Sequence, residues 1–232
     1  MDEKATFVRK LFSGIPSEYD QLLRWLTLGQ DGRWRRLGID TARLSSDARV
    51  LDLATGTGVF AFDWVERQNA SVIALDITPA MLHHAKSVDA KRNYALPVRF
   101  VGGRTESLPF PDDRFDAISI GLALRNLTDL GASFREMARV LKPGGRLISI
   151  DFTRPHWLIQ RAYYLYLCRG LPAIGRAISP EWDDTFEYLW RSILRFHEVP
   201  HVVDTVKAAG FHKVATRSLT GGIATLISGT RT

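Results

Sequence analysis

Two short stretches of the chain hold residue types suited to gripping a nucleoside. Val50-Leu51-Asp52-Leu53-Ala54-Thr55-Gly56-Thr57-Gly58 runs from apolar residues into a loop of small ones, and Ala74-Leu75-Asp76-Ile77 ends a second apolar run with an acid. Glycines at a turn let the backbone approach a ligand closely. A helix opening behind such a loop presents unpaired N–H groups, and an acid about 20 residues later can accept from both hydroxyls of an adenosine ribose. Taken literally, Gly56-Thr57-Gly58-Val59-Phe60-Ala61 followed by Asp76 satisfies the dinucleotide fingerprint. The loop therefore suits an NAD enzyme, an S-adenosylmethionine (SAM) methyltransferase, or a ligand-free structural turn. Two features favour SAM: the loop opens on Ala54 with Asp52 before it, and Val140-Leu141-Lys142-Pro143-Gly144-Gly145-Arg146-Leu147 follows at a spacing unusual in dehydrogenases. Pro143 and the two glycines also have a plain local job, since proline stops a helix and glycine permits positive φ.

The elements that must position these residues follow from hydrophobic spacing. Residues 3–37 read as two or three short helices, with Phe7, Leu11 and Phe12, then Leu22, Leu23 and Leu26, at helical intervals. From residue 48, apolar runs (Arg49–Leu53, Ser71–Leu75, Val98–Val101, Ala117–Ile120, Arg146–Ile150) alternate with helical stretches around 59–67, 79–92 and 129–141. That alternation predicts βαβ units and a mostly parallel sheet with helices on both faces. After Asp151 come a nearly all-round apolar stretch, 156–169, which Gly170, Pro172 and Gly175 are expected to end, then helices around 183–195 and 200–209. Val214–Leu219 and Ile223–Ile227, split by Thr220-Gly221-Gly222, read as a closing hairpin.

Composition bounds the rest. Of 232 residues, 45% are hydrophobic and 24% charged, which excludes wholesale disorder, collagen and a coiled coil. No apolar stretch approaches the roughly 20 residues of a bilayer span, and MDEKATFVRKLF lacks the apolar region of a secretion signal. The lone Cys168 cannot form an internal disulfide, which fits a reducing cytoplasm. No Cys/His cluster has zinc spacing, so no metal is expected. The net charge of +6 invites an anionic partner, but no motif for base methylation is present and nucleic acid is not expected. The basic excess is local: residues 152–180 contain no Asp or Glu, while Arg154, Arg161, Arg169 and Arg176 fall there. Fourteen residues, 156–169, are too few to span a membrane. A helix apolar all round is buried or meets lipid; a membrane-facing cover, internal packing and a homodimer interface all stay open.

Together these segments resemble the UbiE/MenG-type C-methyltransferases of ubiquinone and menaquinone biosynthesis. The matching stretches are VLDLATGTG (50–58), ALDIT with Met81, ESLPFPDDRFDAISI (106–120), LRNLTD (124–129), REMARVLKPGGRL (135–147), DFTRP (151–155) and SLTGGIA (218–224), with Tyr19-Asp20 near the start. LRNLTD and LTGGIA are more specific to the family than the glycine loop. The resemblance implies an α/β, Rossmann-like class I methyltransferase fold: a mostly parallel seven-stranded sheet, helices on both faces and a C-terminal antiparallel hairpin. It implies one domain, with a helical lid (1–45), a SAM-binding core (46–151), a helical acceptor cover (152–198) and a closing helix and strands (199–232). SAM is the implied cosubstrate and a polyprenyl quinol the acceptor; another small phenol, a sterol or an amine is the alternative acceptor.

By the same resemblance, Thr57 and the backbone of Gly56 and Gly58 hold the methionine end, Asp76 the ribose, and Met81 packs on the adenine. Arg104 and Thr105 flank the adenine edge, and Gly121 sits where relatives often carry serine. Asp52, Ala54, Thr55 and Ile77 complete the set. Relatives usually have Asp or Asn at Arg104, Asp at Val59 and Gly at Ala123. Arginine has no acceptor, so any adenine contact there comes from backbone or from stacking. Arg125, Asn126 and Tyr19 are the catalytic candidates. Arg125 stays protonated and could stabilise a phenolate or orient a water; its plain alternative is an ion pair with an acid on a neighbouring helix. Asn126 positions a ring oxygen or caps the helix beginning near Thr128. Tyr19 is a lid over the cleft or ordinary core. His156 and His197 read as structural. Two further readings compete: an oxidoreductase, and a regulatory scaffold with a degraded pocket.

Overall fold

The computed structural model describes residues 3–92, 98–178 and 182–232. Three helices open it: α1 (Glu3–Ser13), α2 (Tyr19–Leu26) and α3 (Asp31–Ala42). Then β1 (Arg49–Leu53), α4 (Val59–Gln68), β2 (Ser71–Asp76), α5 (Pro79–Arg92), β3 (Arg99–Gly102), β4 (Phe115–Gly121), α6 (Leu130–Val140) and β5 (Leu141–Phe152) follow in the expected alternation. All five strands run parallel, because each return passes through a helix or a long loop. Beyond β5 lie α7 (Trp157–Leu165), a π turn at Tyr166–Gly170, α8 (Leu171–Ile178), α9 (Trp182–Arg195) and α10 (Val199–Ala208). The chain closes with β6 (Phe211–Leu219), a 3₁₀ turn at Thr220–Gly222 and β7 (Ala224–Arg231).

The seven strands lie in the order β3-β2-β1-β4-β5-β7-β6, and β7 is antiparallel to both of its neighbours. The hairpin thus docks by its second strand. The buried β7 is almost wholly covered, while β6, exposed at most positions and carrying Lys213 and Arg217, takes the edge; charge on an edge strand opposes pairing with another chain. Apolar side chains fill both faces. Phe60, Trp64, Trp34 and Ile150 pack on one side, under α1–α5 and α7–α9. Phe134, Met137, Val202 and Val206 pack on the other, under α6 and α10.

Two local expectations are corrected. The strand expected at Arg146 already begins at Leu141: Leu141 pairs with Phe115 and the next pair is Ala117 with Arg146, so Lys142–Gly145 bulge out of the ladder. Gly144 takes φ +77°, and a Cβ on Gly145 would lie 2.8 Å from the Lys142 carbonyl, which accounts for both glycines. The helix expected to stop before Gly170 instead continues into α8. A π turn resets the hydrogen-bond ladder there, and Pro172 falls in the first turn of α8, where a missing N–H is tolerated.

Candidate active site

Strand register sets the site. Leu53 stands level with Leu75 and with Ile120, and Asp76 lies opposite Gly102. Chain order reverses between β1 and β4, so the loops leaving their ends diverge and open a crevice. The loop after β1 is left-handed at Ala54 (φ +49°), Gly56 (φ +57°) and Gly58 (φ +86°). Gly58 must be glycine on two counts, since a Cβ would also meet the Phe62 ring at 2.8 Å. The turn folds back on Asp76: the Gly56 amide donates to Oδ2 at 2.8 Å and the Thr78 amide to Oδ1 at 2.7 Å. Burial raises the Asp76 carboxyl above the usual range, against the pull of those amides. The Ile77 amide and the Thr78 hydroxyl also hold the carboxylate, which lines the crevice.

That crevice, about 90 Å³, is lined by Tyr19, Ala54, Gly56, Asp76, Ile77, Met81, Arg104, Thr105, Gly121 and Asn126. Ala5, Val8 and Phe12 of α1 also line it. Met81 is fully packed, and Thr105 shares a 2.9 Å hydroxyl contact with Ser133. Gly121 makes room for Phe60, whose ring carbon would lie 3.1 Å from an added Cβ. Arg104 is tied along the rim, 3.4 Å from Glu106 and 3.5 Å from the Thr128 hydroxyl.

Asp52 and Thr55 line an adjoining small cavity that shares Tyr19, Ala54, Gly56 and Gly121 with the crevice. Asp52 accepts from Thr55 Oγ1 and from Ser119 Oγ, each at 2.6 Å, and Ser119 accepts from the Trp64 indole at 2.9 Å. This chain of bonds pins β1 to β4 and α4. Burial pushes the Asp52 carboxyl up to about 7, against its two hydroxyl donors. Thr57 Oγ1 donates to Asp20 at 2.5 Å, so it ties the loop to α2 beside Tyr19. Tyr19 packs edge-on against Phe12, and burial pushes its phenol up to about 12, with Arg125 opposing and Asp20 adding to the rise.

A larger cleft, about 1020 Å³, opens between α1, α9 and the turn Leu124–Asn126. Phe7, Leu11, Ile15, Leu127 and Phe196 give it apolar walls, and Lys10, Arg191, Arg195 and His197 stand among its polar lining. Arg125 forms part of its floor with its side chain only 2% exposed. Its Nη1 lies 3.0 Å from Asp151 and also donates to the Leu122 carbonyl; its Nε donates to Ser192 at 3.2 Å, and its guanidinium covers the Phe152 ring at 5.3 Å. The partner acid is thus at the end of β5, not on a helix as the ion-pair reading had it. Asp151 also accepts from the Leu124 and Phe152 amides, and burial raises its carboxyl despite Arg125. Asn126 does not cap α6; Asp129 does, accepting from the Ala132 amide at 2.8 Å. Asn126 Oδ1 accepts instead from the Tyr188 hydroxyl at 2.8 Å. His156 caps α7, and His197 lies ring-to-ring with His201. Among the described residues no group of three or more His, Cys, Asp or Glu could hold a metal.

Tyr188 and Ser192, and the bonds that Asp20 and Ser119 make within matching stretches, escape sequence reading, since each meets its partner across 37 to 67 residues. Asp151 opens a recognised stretch, yet nothing local tells that its partner is Arg125.

The family model described as the ubiE/COQ5 methyltransferase family matches residues 1–231. The chain belongs to that family. It is 36% identical over 233 residues to a Geobacter sulfurreducens protein named ubiquinone/menaquinone biosynthesis C-methyltransferase UbiE, covering 99% of this chain and 90% of the relative. It is 37% identical over 230 residues to a Mycobacterium tuberculosis demethylmenaquinone methyltransferase, covering 99% and 94%. Among solved structures, a SAM-dependent methyltransferase from Aquifex aeolicus superposes with a TM-score of 0.62 at 17% identity, over 85% of this chain and 89% of that one. That likeness concerns the fold. This ubiE/COQ5 methyltransferase carries its glycine loop and Asp76 where that fold opens its crevice.

Proposed function

We propose that the protein transfers the methyl group of SAM to a ring carbon of a polyprenylated quinol. The single observation that carries the reading is the pairing of a narrow crevice, where the left-handed loop folds onto Asp76, with a larger, largely apolar cleft that meets it at Leu127 and Thr128. The relatives' names support the acceptor class. SAM supplies an electrophilic sulfonium methyl. The residues fit it: Asp76 lines the crevice at the end of β2, where a ribose would meet a carboxylate, and the bare Cα of Gly56 leaves backbone open beside Tyr19.

In this reading Met81 and Thr105 border the adenine, Arg104 lies over its edge without an acceptor to offer, and residues 54–58 present backbone to the methionine end. Ile77 and Gly121 fill the walls, and Asp52, Thr55 and Thr57 hold the loop's shape rather than the ligand. Residues 1–45 act as a lid through α1. Carbon methylation needs the acceptor phenol to give up its proton, here to a water oriented by Arg125; the charged ring carbon then takes the methyl as the bond to sulfur breaks, and sheds its own hydrogen as a proton to solvent, while the protein aligns the reactants. Arg125, held by Asp151, presents an oriented guanidinium to the acceptor cleft, and Asn126 orients the ring oxygen. Tyr19 keeps its proton throughout the physiological range and serves as packing and donor.

The exposed face of α7 suits the same substrate. Trp157 (72% exposed), Leu158 (66%) and Leu165 (56%) face outward, while Tyr163 and Leu167 pack inward, so the face reads as a peripheral membrane contact. No helix among the described residues is long and apolar enough to cross a membrane. A homodimer through the same face is the second use it could have.

The test is incubation with methyl-labelled SAM and lipid extract from a strain lacking the protein. Label on a ring carbon of a quinone-pathway lipid is expected; label on oxygen or nitrogen, or none, overturns the reading.

A further inference from the structure

The two clefts are separated by a thin wall. Asn126 lines the small one, Tyr188 of α9 lines the large one, and the bond between them, phenol O–H to amide oxygen at 2.8 Å, closes the gap. Phe7 and Phe12 of α1 pack against the Tyr188 ring at 5.3 and 6.5 Å, so the wall is aromatic on its other side. Burial raises the Tyr188 phenol, opposed by Arg125, so the hydroxyl stays a donor at neutral pH. The acceptor of the proposed reaction is also an aromatic ring bearing a hydroxyl, and its carbon has to reach the donor through this wall.

We propose that Tyr188 is a specificity-determining residue that stands in for the acceptor: its phenol occupies Asn126 Oδ1 until an incoming substrate phenol displaces it, and with it the wall. The inference rests on the acceptor class proposed above. The chemistry is a like-for-like exchange, one aromatic O–H donor for another at one amide oxygen. A phenol that displaces Tyr188 keeps Asn126 Oδ1 paired while the freed Tyr188 hydroxyl turns to water in the larger cleft, whereas a ring without a donor leaves that buried oxygen unpaired. Tyr188 is thus a positioning residue outside the reacting atoms, and it selects for the hydroxyl the reaction needs.

The test uses the full chain saturated with S-adenosylhomocysteine and two probes, 1-naphthol and 1-methoxynaphthalene, titrated by fluorescence. In the native protein 1-naphthol binds more tightly than the ether by about threefold or more. In Tyr188→Phe the bond that either probe must break is gone, so both affinities rise by about threefold to tenfold and the preference for 1-naphthol is retained. A purely structural Tyr188 leaves both affinities unchanged or lowers them, and that result overturns the inference. Equal affinities in the native protein also overturn it, which keeps the test alive should the variant fold poorly. Failure of S-adenosylhomocysteine to bind at all would instead count against the donor assignment, a separate outcome.

Discussion

Asp52 illustrates a motif residue held by hydroxyls of its own fold. It stands in the glycine-loop signature, yet both its oxygens are taken by Thr55 and Ser119, and through Ser119 it reaches Trp64. Its carboxyl titrates near 7 in the fold against an ordinary 3.8. As pH rises above about 4 the unfolded chain gives up this proton first, so the native state loses stability between about pH 4 and 7 and then levels off. Asp52→Asn removes that loss while keeping an acceptor. Urea denaturation is expected to show the variant gaining on the native protein by up to a few kcal/mol between pH 5 and pH 7.5. The same stability difference at both values would contradict a buried, raised Asp52. Asp76, twenty-four residues on and equally buried, shows the opposite use: backbone amides hold it and leave it facing the crevice.

At the level of elements, most of the fold was legible. The five parallel strands, the helices between them and the closing hairpin all announce themselves through period and turn residues, because both faces of the sheet are buried and the chain cannot vary them freely. Two features were not. The start of β5 was hidden by Pro143-Gly144-Gly145, which break local pattern while the strand carries on through a bulge. The α7–α8 continuation was hidden because Gly170 and Pro172 disfavour an α-helix but suit a π turn followed by a fresh first turn. The apolar α7 stretch, ambiguous by composition, is two-sided: Tyr163 and Tyr166 hydroxyls bond to the Leu26 and Trp25 carbonyls of α2, which leaves Trp157, Leu158 and Leu165 outside. Arg161 lies on α7 and Arg169 in the π turn, within a segment free of acids. A basic, aromatic face favours an anionic bilayer. Arg161→Glu combined with Arg169→Glu is therefore expected to reduce sedimentation with phosphatidylglycerol vesicles severalfold and leave SAM affinity unchanged. Vesicle binding equal to the native protein's would speak against a membrane-facing α7.

Over the whole molecule, the arrangement is two clefts at the carboxyl ends of the central strands. The donor side was readable because its parts sit in one strand–loop–helix unit with an acid at a fixed distance. The acceptor side was not, because α1, α9 and the turn after β4 meet there from opposite ends of the chain. Arg125 and Asn126 were found by resemblance, while their partners Asp151, Ser192 and Tyr188 became visible only in three dimensions. Everything in this picture depends on the turn at 54–58 and Asp76 holding the donor's nucleoside. The most direct measurement is calorimetric titration of S-adenosylhomocysteine into the native protein and into Asp76→Ala. Dissociation in about the micromolar range is expected for the native chain, with affinity lost by about tenfold to a hundredfold in the variant, as befits removal of a charged acceptor. Unaltered affinity in a folded Asp76→Ala protein, or no binding to the native one, would contradict it.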